Sequence, residues 1–115
     1  LRVMGIGEDL KSDVDAVRNL LGSPCTLNGV TALDYCSIHE LNPDEVRATF
    51  GGDENFDDMN LVWMMIEAPA GSGIKQGDAI TVDETARDYT VRRVTKPMAG
   101  GVVIAERCYC SGELV

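Results

Sequence analysis

Apolar residues recur at Leu10, Val14, Val17 and Leu21, the spacing that lines up one face of an α-helix. Glu8 and Asp9 suit the positive end of such a helix, and Gly22 followed by Pro24 stops it. The pattern predicts one amphipathic helix over about residues 8–21, whose apolar stripe is expected to pack on the rest of the chain. Beyond it the period falls to two. In CTLNGVTALDYCSI, Asn28-Gly29 separates two β-prone runs, and both residues tolerate the positive φ of a type I′ turn, so a tight hairpin is predicted with its second arm running through Tyr35, with Ile38 open as its far limit. A strand is expected at about 61–67, where Leu61, Trp63 and Met65 face one way and Val62, Met64 and Ile66 the other. Both faces are apolar, which implies cover on both sides: the sheet interior on one, the helix or a neighbouring subunit on the other. Further strands are predicted at about 79–82, 89–95 and 102–109. Val94 falls out of phase with Tyr89 and Val91, as a bulge or a strand end would require. The whole, residues 1–115, reads as a single mainly β domain: a small antiparallel β-barrel or sandwich with one N-terminal α-helix and a long loop.

Charge marks out that loop. Nineteen acidic against ten basic residues give a net charge of -9, which argues against ordinary binding to nucleic-acid phosphates. Between His39 and Asn60, Glu40, Asp44, Glu45, Asp53, Glu54, Asp57 and Asp58 are opposed only by Arg47, so this stretch alone carries -6. With Asn42-Pro43 and Gly51-Gly52 as breakers, about residues 39–60 read as an acidic loop in which NPDEVRATF has the make-up of a helical turn. Its charge makes it either a solvated connection or a surface that repels something anionic. No apolar run approaches the ~18 residues of a membrane-spanning helix, and the first residues lack the basic-then-apolar order of a secretory signal.

Catalytic chemistry is hard to place. The one histidine, His39, lies three residues after Cys36, and on a strand that spacing puts the two on opposite faces. GSGIKQG (71–77) shares only its glycines with a phosphate-binding loop, lacking the Gly-Lys-Ser/Thr ending and preceding a strand. DENFDD, starting at Asp53, has Asp58 and Met64 where a calcium loop of the EF-hand type needs Gly and Glu. Cys108 and Cys110 share one face of a strand, but a zinc site would need further ligands. Cys25, Cys36, Cys108 and Cys110 are therefore expected as reduced, partly buried thiols. No enzyme is expected, and no catalytic, cofactor-binding or metal-binding residue is nominated.

The order of elements resembles the head–tail joining proteins of long-tailed bacteriophages, the lambda type. The residues that carry the resemblance are Gly77-Asp78, Ile80, Val82, Tyr89, Val91, Val94 and Gly100-Gly101, within a layout that matches from about Asp9 to Tyr109. The resemblance implies a β-barrel that assembles with copies of itself as a ring, usually a hexamer, below the portal and its adaptor proteins. Such a ring closes the DNA-filled head as a stopper or connector and receives the tail terminator or tail tube proteins. Genomic DNA passes through it without specific binding, and no catalysis or cofactor is involved. It implies a place in the neck of the virion, assembled in the bacterial host cytoplasm. Tail terminators and other neck proteins use related folds and stay open as alternatives. On this reading Asp44, Glu45, Asp53, Glu54, Asp57 and Asp58 line the DNA channel or dock a partner, and Trp63 and Met64 contribute to the subunit interface. Two other classes remain: a ligand-binding β-barrel with residues 71–77 at its pocket mouth, and a metal protein built on Cys108, Cys110 and His39.

Overall fold

The computed structural model describes residues 6–50 and 61–113. Helix α1 (Ile6–Leu21) is followed by strands β1 (Ser23–Leu27) and β2 (Thr31–Glu40), helix α2 (Pro43–Phe50) and strand β3 (Leu61–Ala68). Then come β4 (Ala79–Val82), β5 (Arg87–Thr95), the short pair β6 (Met98–Ala99) and β7 (Val102–Val103), and β8 (Glu106–Glu113). Six of the strands close into an antiparallel barrel in the order β1-β2-β3-β8-β5-β4, and β6 and β7 form a separate ribbon. The mainly β class is thus a barrel rather than a sandwich. No helix of the described residues is long and apolar enough to cross a membrane.

Local chemistry explains the seams. Asn28 (φ 51°) and Gly29 (φ 71°) make the expected tight turn between β1 and β2. Asn28 does more than turn: its N–H donates to the Ala79 carbonyl at 2.7 Å, and its Oδ1 accepts from the Ala79 N–H at 2.8 Å. The same residue therefore helps close the β1–β4 edge of the barrel. In β5 the ladder to β8 slips between Val91 and Arg93, so Arg92 is the extra residue of a bulge. The bulge resets the phase and lets Val91 and Val94 both pack inward, as the displaced Val94 had suggested.

Alternation fills the interior. Leu27, Leu33, Ile66, Ile80, Val82, Tyr89, Val91 and all four cysteines form one buried cluster, with Ile38, Met64 and Val94 packed against it. Gly112 is required there, because a Cβ on it would come within 2.7 Å of the Tyr89 ring. In the closed order β3 and β4 stand three places apart, so the connection 69–78 must cross an end of the barrel. Ile74 is 3 % exposed and joins the core cluster from this connection. The carboxylate of Glu106, itself 2 % exposed, accepts the N–H groups of Gly73 (3.1 Å) and Ile74 (2.8 Å).

The predicted boundaries need three corrections. The strand expected at 102–109 is two pieces: Val102–Val103 folds back on Met98–Ala99 through the positive-φ pair Gly100-Gly101, and β8 starts at Glu106 and runs on to Glu113. The acidic loop expected at 39–60 begins inside β2 and contains α2, and its residues 51–60 lie outside the described residues. Helix α2 has a reciprocal cap that stabilises its start: Asn42 Oδ1 accepts the Glu45 N–H at 2.9 Å, and Glu45 Oε1 accepts the Asn42 N–H at 3.2 Å. Third, α1 does not bury its apolar stripe. Leu10, Val17 and Leu21 are 41, 55 and 82 % exposed, whereas Arg18 is 2 % exposed.

Two substitutions test this architecture. Glu106→Leu strands the buried Ile74 N–H, while the Gly73 N–H is exposed enough to turn to water, and should cost about 1–3 kcal/mol. Gly112→Ala forces the Tyr89 ring to move and should cost about 1–3 kcal/mol. Both are read by urea unfolding, and wild-type stability in either variant would show that the barrel end or the Tyr89 contact is not as described.

Candidate functional site

Among the described residues, buried side chains pack together inside the barrel, and the candidate surfaces lie outside. The first is α1. Gly22 ends the helix with its N–H on the Arg18 carbonyl at 2.7 Å, and a Cβ at Gly22 would stand 2.8 Å from the Tyr35 backbone. This close approach, at a residue where Tyr35 itself has φ 56°, helps fix how the helix lies on β2. The edge turned toward the sheet is polar. Asp15 pairs with Lys11 at 2.8 Å and with Arg18, and Arg18 Nη1 stands 3.6 Å from Glu67 Oε1 on β3. That last distance is too long for a hydrogen bond but is an ion pair, which a buried guanidinium needs. Burial pushes the Asp15 carboxyl up, but the hydrogen bonds and charges of Lys11 and Arg18 outweigh it and hold the group below the usual carboxylate range. Of the apolar edge, Val14 is half-buried and lines with Val17, Ser37 and Glu67 a cleft of about 320 Å³, while Leu10 and Leu21 are left exposed; Tyr35 (45 % exposed) and Met98 (61 %) stand on elements that contact α1.

The second surface is α2. Asp44 and Glu45 stand on its first turn, where carboxylates oppose the helix dipole favourably, and Asp44 pairs with Arg47 at 3.1 Å. Glu45 also meets His39 Nε2 at 3.1 Å. The Asn42 backbone hydrogen bond and then His39 hold the Glu45 carboxyl below its ordinary value. A cleft of about 300 Å³ lies between Glu45, Ala48 and Thr49 of α2 and Met65 and Tyr109 of the barrel wall. Of the six acidic residues expected in a channel or docking role, these two stand on α2; Asp53, Glu54, Asp57 and Asp58 lie outside the described residues.

The third is β5 with the end of β8. A cleft of about 490 Å³ is lined by Arg87, Asp88, Tyr89, Thr90, Arg92 and Ser111, among others. Arg92 Nε donates to Ser111 Oγ at 2.8 Å. Sequence reading passed over this surface, although the run RDYTVRRVTK was its signal. The loop 71–77, expected at a pocket mouth, is instead tied to Glu106 and borders only a shallow cleft of about 280 Å³.

Of the two interface residues, Trp63 points to the outer face, opposite Ser111, and is 7 % exposed, while Met64 packs against the interior cluster. In this chain neither side chain is an open anchor. The four cysteines are unpaired and buried. The hydrogen bond with Cys25 and burial push the Cys36 thiol up; burial pushes Cys108 up to about 12 and Cys110 higher still. Those three thiols stay protonated near neutrality. The hydrogen bond with Cys36 holds Cys25 below its ordinary value, and it is burial, at 1 % exposure, that keeps this thiol from reagents. No three His, Cys, Asp or Glu side chains among the described residues are grouped to hold a metal ion. His39 stands outside the barrel wall, with Cys108 and Cys110 inside it, so the metal site considered for these three does not assemble. Compared with known proteins, the chain matches no family model, no curated protein and no solved structure. Its class is therefore defined by the fold: a closed six-stranded antiparallel barrel with two outer helices among the described residues.

Thiol titration checks the interior. The folded protein should give no rapid reaction with a small disulfide reagent, and the urea-unfolded protein should give four equivalents. Rapid modification of even one thiol in the folded state would contradict the burial described. Glu45 gives a pH prediction. Its carboxyl is depressed in the folded state, so its contribution is complete above the ordinary glutamate range and is lost as the pH falls through the lower folded value. Wild type should therefore lose stability on acidification over that window more than Glu45→Gln does.

Proposed function

We propose that this protein is a structural joint of a phage neck, forming a ring, a hexamer by resemblance, between the portal and adaptor of a DNA-filled head and the tail. The observation that carries the reading is α1. A helix that buries an arginine and leaves Leu10, Val17 and Leu21 to solvent is arranged for a further protein surface. A lone barrel would gain stability by turning that stripe inward, at roughly 1.5–3 kcal/mol per buried large aliphatic side chain. The Arg18–Glu67 pair and the Gly22–Tyr35 approach oppose that rotation. The resemblance carried by Gly77-Asp78, Tyr89, Val91 and Gly100-Gly101 supplies the kind of assembly, and the -9 charge suits a conduit that DNA crosses without sticking.

The tail-terminator reading shares every one of these features and differs only in which partner each rim meets. Nothing observed favours a ligand-binding barrel, because the interior is packed and residues 71–77 are clamped.

Two experiments bear on the proposal. Val17→Lys with Leu21→Lys should leave monomer stability within about 0.5 kcal/mol, as exposed positions do, while abolishing assembly on portal complexes seen by negative stain. Deleting the gene in a producing host should yield separate DNA-filled heads and finished tails. Joined, infectious particles from the deletion would overturn the reading, and tails of uncontrolled length would replace it with tail termination.

A further inference from the structure

Burying an arginine under α1 leaves part of it unspent. Arg18 is 2 % exposed, and its Nη2 is committed to Asp15. Its Nη1 is shut from solvent and makes no hydrogen bond among the described residues; it stands 3.6 Å from the Glu67 Oε1 that balances its charge. A buried donor without an acceptor is uncommon in a folded protein and asks for one. Two groups beside it also have capacity to spare. Ser37 and Glu67 are cross-strand neighbours on β2 and β3. Among the described residues the half-buried Ser37 hydroxyl has no hydrogen-bond partner, and Arg107 reaches Glu67 Oε2 only at 3.4 Å. All of these groups border one slot. The cleft of about 320 Å³ between helix and sheet has Val14 and Val17 on its apolar side and Arg18, Ser37 and Glu67 on its polar side, with the exposed Asp13 next to them. Its charges cancel. The carboxylates of Asp13, Asp15 and Glu67 are matched by Lys11, Arg18 and Arg107.

We propose that this slot is a docking site for an uncharged peptide segment of a partner protein. The segment inserts one apolar side chain between Val14, Val17 and the sheet, and sets a peptide group against Arg18 and Ser37. Its carbonyl accepts from Arg18 Nη1, which turns slightly out of the long ion pair, and its N–H donates to the Ser37 hydroxyl oxygen. A peptide group carries both functions at once. An ionic ligand is disfavoured, because a slot without net charge offers no counter-charge for the desolvation it would suffer. Extent favours a protein over a small molecule. The stripe runs on along the helix to Leu10 and Leu21, 41 and 82 % exposed, which is more apolar surface than a ligand filling about 320 Å³ covers. The inference rests on the joint reading for its choice of a neck protein as partner, and it names the contact that α1 makes.

The probe is N-acetyl-leucine amide, an apolar side chain with two uncharged amide groups, titrated into the full chain and followed by methyl and arginine side-chain NMR. It should shift the Val14 and Val17 methyl signals and the Arg18 guanidinium signal. N-acetyl-leucine, a carboxylate, and leucine amide, an ammonium, should bind at least about 10-fold more weakly, since each must bury an unpaired charge. Ser37→Ala should weaken the neutral probe by about 3- to 10-fold, the scale of one hydrogen bond. Ser37→Phe fills the slot from the sheet side and should abolish both probe binding and assembly on portal complexes, with folding checked by thermal unfolding. Should Ser37→Phe not fold, Ser37→Ala carries the test. No binding, equal binding of the three probes, or shifts only at other residues would overturn the slot. Probe binding in wild type with normal assembly of Ser37→Phe would overturn the docking role while leaving the joint reading standing. Self-association of wild type that Ser37→Phe removes would give the site to a second copy and overturn the separate partner. Joined particles from the gene deletion would overturn the joint reading and, with it, the choice of a neck protein.

Discussion

The barrel depends on what Glu106 does at its end. A six-strand order that places β3 and β4 three places apart forces the chain to cross a mouth of the barrel, where backbone N–H groups leave water without a strand to pair with. Glu106 opens β8 directly opposite Ala68, a fully buried small residue that leaves room for a carboxylate. Its two oxygens take the N–H groups of Gly73 and Ile74, and that fixes Ile74 as the apolar plug. Neither partner is stable without the other. An ionised carboxylate buried alone would be expensive, and so would two orphaned amides. The crossing loop and the first residue of β8 must therefore form together, and with them the closure of β3 on β8 and β8 on β5.

Much of this was written in local sequence, because turn and alternation signals act over a few residues. Asn28-Gly29, the strand 79–82 and the phase slip at Val94 are of that kind. The facing of Cys108 and Cys110 follows from the same period. What was not legible depended on distant partners. Glu106 reads as a surface charge until residues 73 and 74 are brought to it, 33 and 32 positions away. The roll of α1 is a second case. The apolar stripe of Leu10, Val14, Val17 and Leu21 predicts its own burial, and the opposite outcome turns on Glu67 reaching Arg18 and on Gly22 meeting the Tyr35 backbone. Helix α2 was legible in part, for Asn42, Pro43 and Glu45 are a start signal, but the acidic run around it favoured a loop.

The same closure that makes the interior inert separates the outer surfaces. In the closed order β2 and β5 stand opposite one another, so α1, which packs on β2, and the arginines of β5 are on different sides of the barrel, while α2 reaches both strands, through Glu45 to His39 and through the Thr49 carbonyl to Arg93. A barrel whose described interior is packed with apolar side chains and thiols carries its polarity where its strands and outer helices meet solvent.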